Sequence, residues 1–280
     1  MATSLALLAS LLWGTSDFLG GTATRRIPAT AVVCLSQAFA LVGVLVVTAA
    51  TGSFSAGGYL GWGVAAALVG VIGLVSFYRA LATGTMGVVA PIAALGVVVP
   101  VVVGIAQGDR PSAWQAAGVA IAVIGVVLAS GPELRTSDAR ADAAQWQPLA
   151  LAAVAAVGFG LVFVFIAHGA RSSTLMTLLT MRAISVVTLA PIVLARAEAR
   201  GITRRDLPLL AAVGAGDVTA NGCMAVATTH GLLSLVAVLA SLYPAVTVLL
   251  ARAIHNERLG RIQTIGVTGA LAGVVLIASG

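Results

Sequence analysis

The chain has 280 residues, of which fifteen are basic and nine acidic, so few side chains can carry charge chemistry. Fewer still interrupt an apolar run. Arg182 lies nine residues into the apolar segment 173–195. At 1.5 Å per residue that is about 13 Å along a helix axis, near the middle of a bilayer. Asp217 is as deep within 207–229, and Asn221 follows one helical turn later on the same face. Asp17 sits in the outer third of 3–22, beside Thr15 and Ser16 and near Trp13. Tyr78 and Tyr243 fall at helix ends or bends, where a hydroxyl can face a cavity. A charge in hydrocarbon costs roughly 2.5–3.5 kcal/mol on insertion scales, which makes these residues the candidates for substrate binding or coupling.

Each candidate has two readings. The planar, permanently charged fork of Arg182 suits a substrate carboxylate; alternatively it bonds helix-end carbonyls or snorkels to a headgroup. Asp217 suits proton coupling, because a carboxyl changes charge in response to its surroundings. Its alternatives are a static ion pair with Arg182 or hydrogen bonding around Gly214-Ala215-Gly216. Asp17 is either a cavity acid or a hydrated helix-end residue paired with Arg25 or Arg26. Asn221 is either a ligand or interhelical glue. His168, His230 and His255 read as interfacial, solvated histidines, and Glu257 beside Arg258 as a structural cap or ion pair. Cys34 and Cys223 lie in apolar segments without CxxC or Cys/His spacing and read as packing residues. There is no HExxH, paired-carboxylate motif, Ser/His/Asp grouping or acidic cluster. No metal, no cofactor and no enzymatic activity are expected.

The elements that position these residues follow from composition. The chain is 60% hydrophobic and 9% charged, too few polar residues to coat a water-facing sphere, which excludes a large soluble domain. The segments are apolar all round, which excludes the alternating strands of a membrane barrel. Helices of roughly 20 residues remain. Gly, Pro and charged breaks delimit ten, near 3–22, 29–50, 58–82, 85–106, 112–131, 147–168, 173–195, 207–229, 232–253 and 262–279. Met1 to Ser10 lacks a basic n-region and Asp17 interrupts the apolar run, so the first segment reads as a retained helix rather than a signal peptide. No appended regulatory or targeting module is expected.

The one polar connection, Pro132 to Gln147, lies at the chain midpoint and divides a first repeat (1–131) and a linker (132–146) from a second repeat (147–280). Displacing the first half by 148 residues aligns Asp109 with Glu257, Gln115 with Gln263, Gly118 with Gly266 and Gly125 with Gly273. A displacement of 147 aligns Ala80 with Ala227 and Gly84 with Gly231, and one of 144 aligns Gly14 with Gly158. A five-helix unit ends on the side opposite its start, so the second copy must insert upside down. Inverted repeats give a transporter two near-equivalent conformations around a midplane site.

Tyr243-Pro244, then Asn256-Glu257-Arg258-Leu259, Gln263, Gly266 and Gly273, resemble the carboxy-terminal part of an EamA repeat. Leu12-Trp13-Gly14, Phe77-Tyr78-Arg79-Ala80-Leu81 and Asp109 through Gly125 echo it in the first half. Together they resemble the EamA branch of the drug/metabolite transporter superfamily over essentially the whole chain. The resemblance implies ten helices, a central cavity between the repeats, and movement of amino acids, small metabolites or toxic compounds without ATP. Two positions depart from the pattern: Gly108-Asp109-Arg110-Pro111 replaces the usual Gly-Glu-Arg-Leu, and Gln37-Ala38 stands where an Arg is common, although Arg182 keeps the matching position in helix seven.

The expected protein is an all-α integral membrane protein of two inverted five-helix EamA-type repeats. It is expected in the cell membrane as a secondary transporter exporting small metabolites or amino acids, with a small-molecule substrate and a coupling proton or ion. The alternatives are an integral-membrane enzyme and a drug exporter. Nucleic-acid binding is not expected, because the arginines stand at lipid-headgroup positions. Twelve of the fifteen fall in odd-numbered connections, Arg110 and Arg171 fall in even-numbered ones, and Arg182 is inside a helix. That asymmetry predicts cytoplasmic odd connections and external termini.

Overall fold

The computed structural model describes residues 1–84, 86–129, 142–255 and 260–279. Residues 132–141 of the polar connection and the Asn256-Glu257-Arg258-Leu259 signature lie outside the described residues, and the rest of the connection, from Asp142, is already helical.

Every regular element among the described residues is helical. A chain this poor in polar side chains must satisfy its backbone groups within each segment when water is absent, and the helix does that. The helices are α1 (Ala2–Ala23), α2 (Ala29–Thr51), α3 (Tyr59–Thr83), α4 (Met86–Ala94), α5 (Val98–Ala106), α6 (Ala113–Ala129), α7 (Asp142–Ala170), α8 (Thr174–Ala195), α9 (Leu207–His230), α10 (Leu233–Ala240), α11 (Tyr243–His255) and α12 (Arg261–Ser279). Among the described residues, seven stretches are long and apolar enough to cross a membrane: α1, α2, α3, α8 and α9, residues Trp146–Ala170 of α7, and Leu233–Ile254 across α10 and α11. Ile92–Ala106 and Ala113–Gly125 are shorter apolar stretches. Val42, Val46, Ile72 and Leu11 are exposed on the outside of the bundle, as a lipid-facing surface requires.

Two of the expected segments are interrupted. The segment 85–106 contains a tight turn at Leu95–Val97 between α4 and α5, and 232–253 breaks at Ser241 and Leu242 between α10 and α11. Under the 148-residue displacement, Leu95 falls on Tyr243, next to the second break. Each break presses on the first helix of the other half. A Cβ on Gly96 would lie 2.0 Å from the Ala156 carbonyl oxygen, and one on Gly160 2.3 Å from the Gly96 oxygen. On the other side, a Cβ on Gly14 would lie 2.5 Å from the Tyr243 oxygen, and the Thr247 hydroxyl donates to the Gly14 carbonyl at 3.0 Å. Contacts below 3 Å leave no room for any side chain, so glycine sets how closely these backbones approach.

Contacts between the halves come in exchange-related pairs. α3 packs along α7 and α1 along α9; α2 meets α9 and α3 meets α8; α6 lies along α12. Exchanging α1, α2, α3 and α6 with α7, α8, α9 and α12, respectively, maps this set onto itself. At one end of the bundle a Cβ on Gly231 would lie 2.9 Å from Ala2 Cβ, and Gln107, capping α5, reaches His168 in the last turn of α7 at 3.1 Å.

Candidate site: a buried arginine and its carboxylate between the halves

A cavity of about 60 Å3 lies between α1, α2, α3, α7, α8, α9 and the start of α11. Its polar wall holds Trp13, Asp17, Gln37, Arg182, Ser185, Asp217, Asn221 and Tyr243; its apolar wall holds Val71 and Leu74 of α3 and Phe159, Val162 and Phe163 of α7.

The polar wall exists because α9 sits tight against α1 and α2. A Cβ on Gly214 would lie 2.1 Å from the Ser36 carbonyl oxygen, and one on Gly216 2.1 Å from the Ser16 hydroxyl. This close approach puts Asp217, the next residue in α9, within reach of side chains from the first half. Trp13 Nε1 donates to Asp217 Oδ1 at 3.1 Å, and Gln37 Nε2 donates to Oδ2 at 3.1 Å. From its own half, Arg182 Nη1 lies 2.9 Å from Oδ2, and Asn221 Nδ2 donates to Oδ1 at 3.0 Å. Four donors therefore converge on one carboxylate. Arg182 Nη1 also donates to Gln37 Oε1, so the glutamine amide bridges both members of the ion pair.

Arg182 is 1% exposed, and an unpaired guanidinium at that burial would cost several kcal/mol. The pair with Asp217 uses only one corner of the fork. Among the described residues, Arg182 Nε and Nη2 are buried without a hydrogen-bond partner, as is the Tyr243 hydroxyl. Nε–H and one Nη2–H lie along one edge of the guanidinium, the edge that binds a carboxylate in bidentate fashion. Asp17 is 7% exposed and lines the same cavity. No hydrogen bond or ion pair to its side chain is found among the described residues, so its acceptor capacity is free. Trp13 stacks on Phe163 with ring centroids 5.1 Å apart and an interplanar angle of 15°, closing the space between the two walls.

The structure thus gathers Arg182, Asp217, Asn221, Asp17, Trp13 and Tyr243 around one cavity. The static pair considered for Asp217 is formed, and Asp17 lies at the cavity instead of pairing with Arg25 or Arg26. Tyr78 is not part of the cavity lining. It is buried against α1, where Gly20 makes room for its ring: a Cβ there would lie 2.3 Å from its Cζ. Two polar cavity residues, Gln37 and Ser185, were not among the candidates. Gln37 carried a usable signal: displaced by 145 residues it falls on Arg182. Further along, the displacement of 147 that aligns Ala80 with Ala227 sets Gly70 against Asp217. The charged pair therefore belongs to the second half alone, and its counterpart positions in the first half carry Gln37 and Gly70, both at the cavity.

A chain of known crystal structure superposes on this one with a TM-score of 0.81 at 18% identity, covering 99% of this chain and 98% of its own length; that likeness is one of fold. No curated protein sequence matches. The profile of the EamA-like transporter family matches residues 1–131 and 146–279. With nearly the whole chain accounted for in two segments, the protein belongs to the EamA-like transporter family.

Proposed function

We propose that the chain is a secondary transporter of the cell membrane that exports small metabolites or amino acids by alternating access. The open edge of Arg182 carries this reading. Arg182 lines the central cavity with its Nε and Nη2 donors unbonded to protein among the described residues, so a solute acceptor can take the place of cavity water there. A solute carboxylate fits that edge. Asp17 offers an acceptor for a solute ammonium or a coupling cation, and the α3/α7 wall receives an apolar body. The fitting solute is a zwitterion with an apolar side chain, which corresponds to an amino acid of that kind.

Ten crossings in two inverted sets of five complete the proposal. The exchange-related contacts support it, as do the paired breaks in the fourth segment of each half. Three further contacts argue for inversion: Gly231 packs on Ala2 at the start of α1, Ser234 bonds Asp109, and Gln107 of that same segment bonds His168 at the end of α7. The start of α1 and the end of α7 thus share one end, so the first helices of the halves run in opposite directions. A cavity of about 60 Å3 holds a few waters at roughly 10–15 Å3 each. Export is the direction proposed, with the arginine-rich odd connections facing the cytoplasm.

A second reading has its own observation. Asp17, Trp13, Phe159, Phe163 and Tyr243 form an acid among aromatic rings, an arrangement that suits an apolar organic cation. An unbiased metabolite comparison of overexpressing and deletion strains separates the two. Depletion of cellular amino acids, with their appearance in the medium on overexpression, supports the proposal. Unchanged amino acids together with a changed tolerance of cationic toxicants favours the second reading.

A further inference from the structure

We propose that Asp109 is a gate residue whose carboxylate latches the two halves together at the end of the bundle that holds the amino terminus. The inference rests on the transport reading. Asp109 follows α5 in the first half. Its Oδ2 accepts the backbone N–H of Ser234 at 3.0 Å and the Ser234 hydroxyl at 2.8 Å, both at the start of α10 in the second half. The first N–H groups of a helix have no partner within it. Leu232, at the N-cap of α10, makes no side-chain hydrogen bond, so a carboxylate 125 residues away in sequence supplies the cap.

The segment before Asp109 is shaped to deliver that carboxylate. The Asp109 N–H donates to the Gly104 carbonyl at 2.9 Å, and Gly108 adopts φ +103°, a conformation that L side chains rarely take. A Cβ on Gly104 would lie 2.5 Å from Asp109 Oδ2 and 3.1 Å from the Ser234 nitrogen, so only glycine leaves the carboxylate its place. Gln107, from the same segment, adds a second tie across the halves to His168 at 3.1 Å.

α10 connects this latch to the site. It is eight residues long and ends at the Ser241–Leu242 break, directly before Tyr243 at the cavity. Ser234 to Tyr243 is about 13 Å of helix rise. A half-helix that ends at that break is pinned by Asp109 in its first turn, and the first residue after the break, Tyr243 of α11, borders the cavity. Release of Asp109 lets α10 swing away and opens the cavity toward that end.

The test uses the full chain in vesicles, with Cys34→Ala and Cys223→Ala as background and Val71→Cys as a reporter in the cavity wall. An impermeant maleimide is applied from each side in turn. Asp109→Ala is expected to raise reporter labelling from the amino-terminal end on the order of tenfold, as the loss of hydrogen bonds to a charged group implies, and to leave labelling from the other end no faster. Ser234→Ala, which keeps the backbone donor, is expected to give a smaller rise in the same direction. An Asp109→Cys/Ser234→Cys disulfide is expected to abolish labelling from that end until it is reduced. Unchanged labelling in both single variants, or unimpeded labelling of the cross-linked protein, would overturn the latch. Labelling reads conformation without any solute. A protein that gates in this way yet moves nothing therefore contradicts the transport reading and leaves the latch standing.

Discussion

Arg182 contributes differently through its two sides, and substitutions separate them. Nη1 is committed to Asp217 and Gln37, whereas Nε and Nη2 are free. Arg182→Gln removes the cation and leaves Asp217 buried with neutral donors only; breaking a buried pair in this way costs about 3–5 kcal/mol. A large fall in thermal midpoint in detergent is expected. Arg182→Lys keeps a cation for Asp217 but has no bidentate edge. It is expected to fold with a near-native midpoint and to lose solute binding, measured by solute-dependent thermal shift. Outside the membrane, Asp206 provides a pH test. Its Oδ2 accepts the Thr203 N–H at 2.9 Å and hydroxyl at 2.7 Å, and these bonds, with Arg26 nearby, hold its carboxyl below the usual aspartate value. The native value is the lower one, so the stabilisation is present above the unfolded pKa of about 3.9 and is lost as pH falls through the native value. Asp206→Ala is expected to lower the midpoint at pH 7, with the gap closing as the medium is acidified below about pH 4. Depth in an apolar run was enough to single out Arg182, Asp217 and Asn221 in the sequence. Gln37 escaped because an amide lacks the charge that makes burial conspicuous, and Tyr78 misled because a helix-end tyrosine also fits a core slot over Gly20.

At the scale of elements, glycine placement decides where helices meet. Gly214 sits where α9 presses on Ser36 of α2, while Gly43, in α2, has nothing within 4 Å of a built Cβ. Gly214→Ala is expected to destabilise by about 1–3 kcal/mol, as overpacking does, and to pull Asp217 away from Gln37. Gly43→Ala is expected to be neutral or to stabilise by up to about 1 kcal/mol through helix propensity. Thermal midpoints of the pair, measured side by side, check this. A second case lies after α8, where Ala197 takes φ +53° and Glu198 N–H bonds back to the Val193 carbonyl at 3.0 Å. Ala197→Gly relieves a left-handed alanine and is expected to raise stability by roughly 1 kcal/mol. Helix positions were legible from apolar runs and their breaks. The interruptions within 85–106 and 232–253 were legible only loosely, as prolines inside apolar runs: Pro91 and Pro100 flank the first break without falling in it, and Pro244 stands in the first turn of α11, just after the second.

For the whole molecule, the duplication matters most where it fails. Contacts between the halves exchange in pairs, yet Arg182 and Asp217 face Gln37 and Gly70 at their counterpart positions. The charged pair therefore lies within the second half, while the bonds from Trp13 and Gln37 come from the first half, and the proposed alternating access requires them to be remade. That the family pattern occurs in two segments was visible in the sequence. The division of the cavity into a polar and an apolar wall was not, because it depends on which helices meet across the halves. The most direct measurement of the central claim is ATP-free counterflow of labelled apolar amino acids in proteoliposomes, comparing the native chain with Arg182→Lys. The account predicts flux above that of empty liposomes for the native chain and its loss in the folded lysine variant. Equal flux through the lysine variant would contradict the assigned role of Arg182. An absence of flux by the native chain across amino acids, nucleosides, sugars and cationic drugs would contradict the transporter itself.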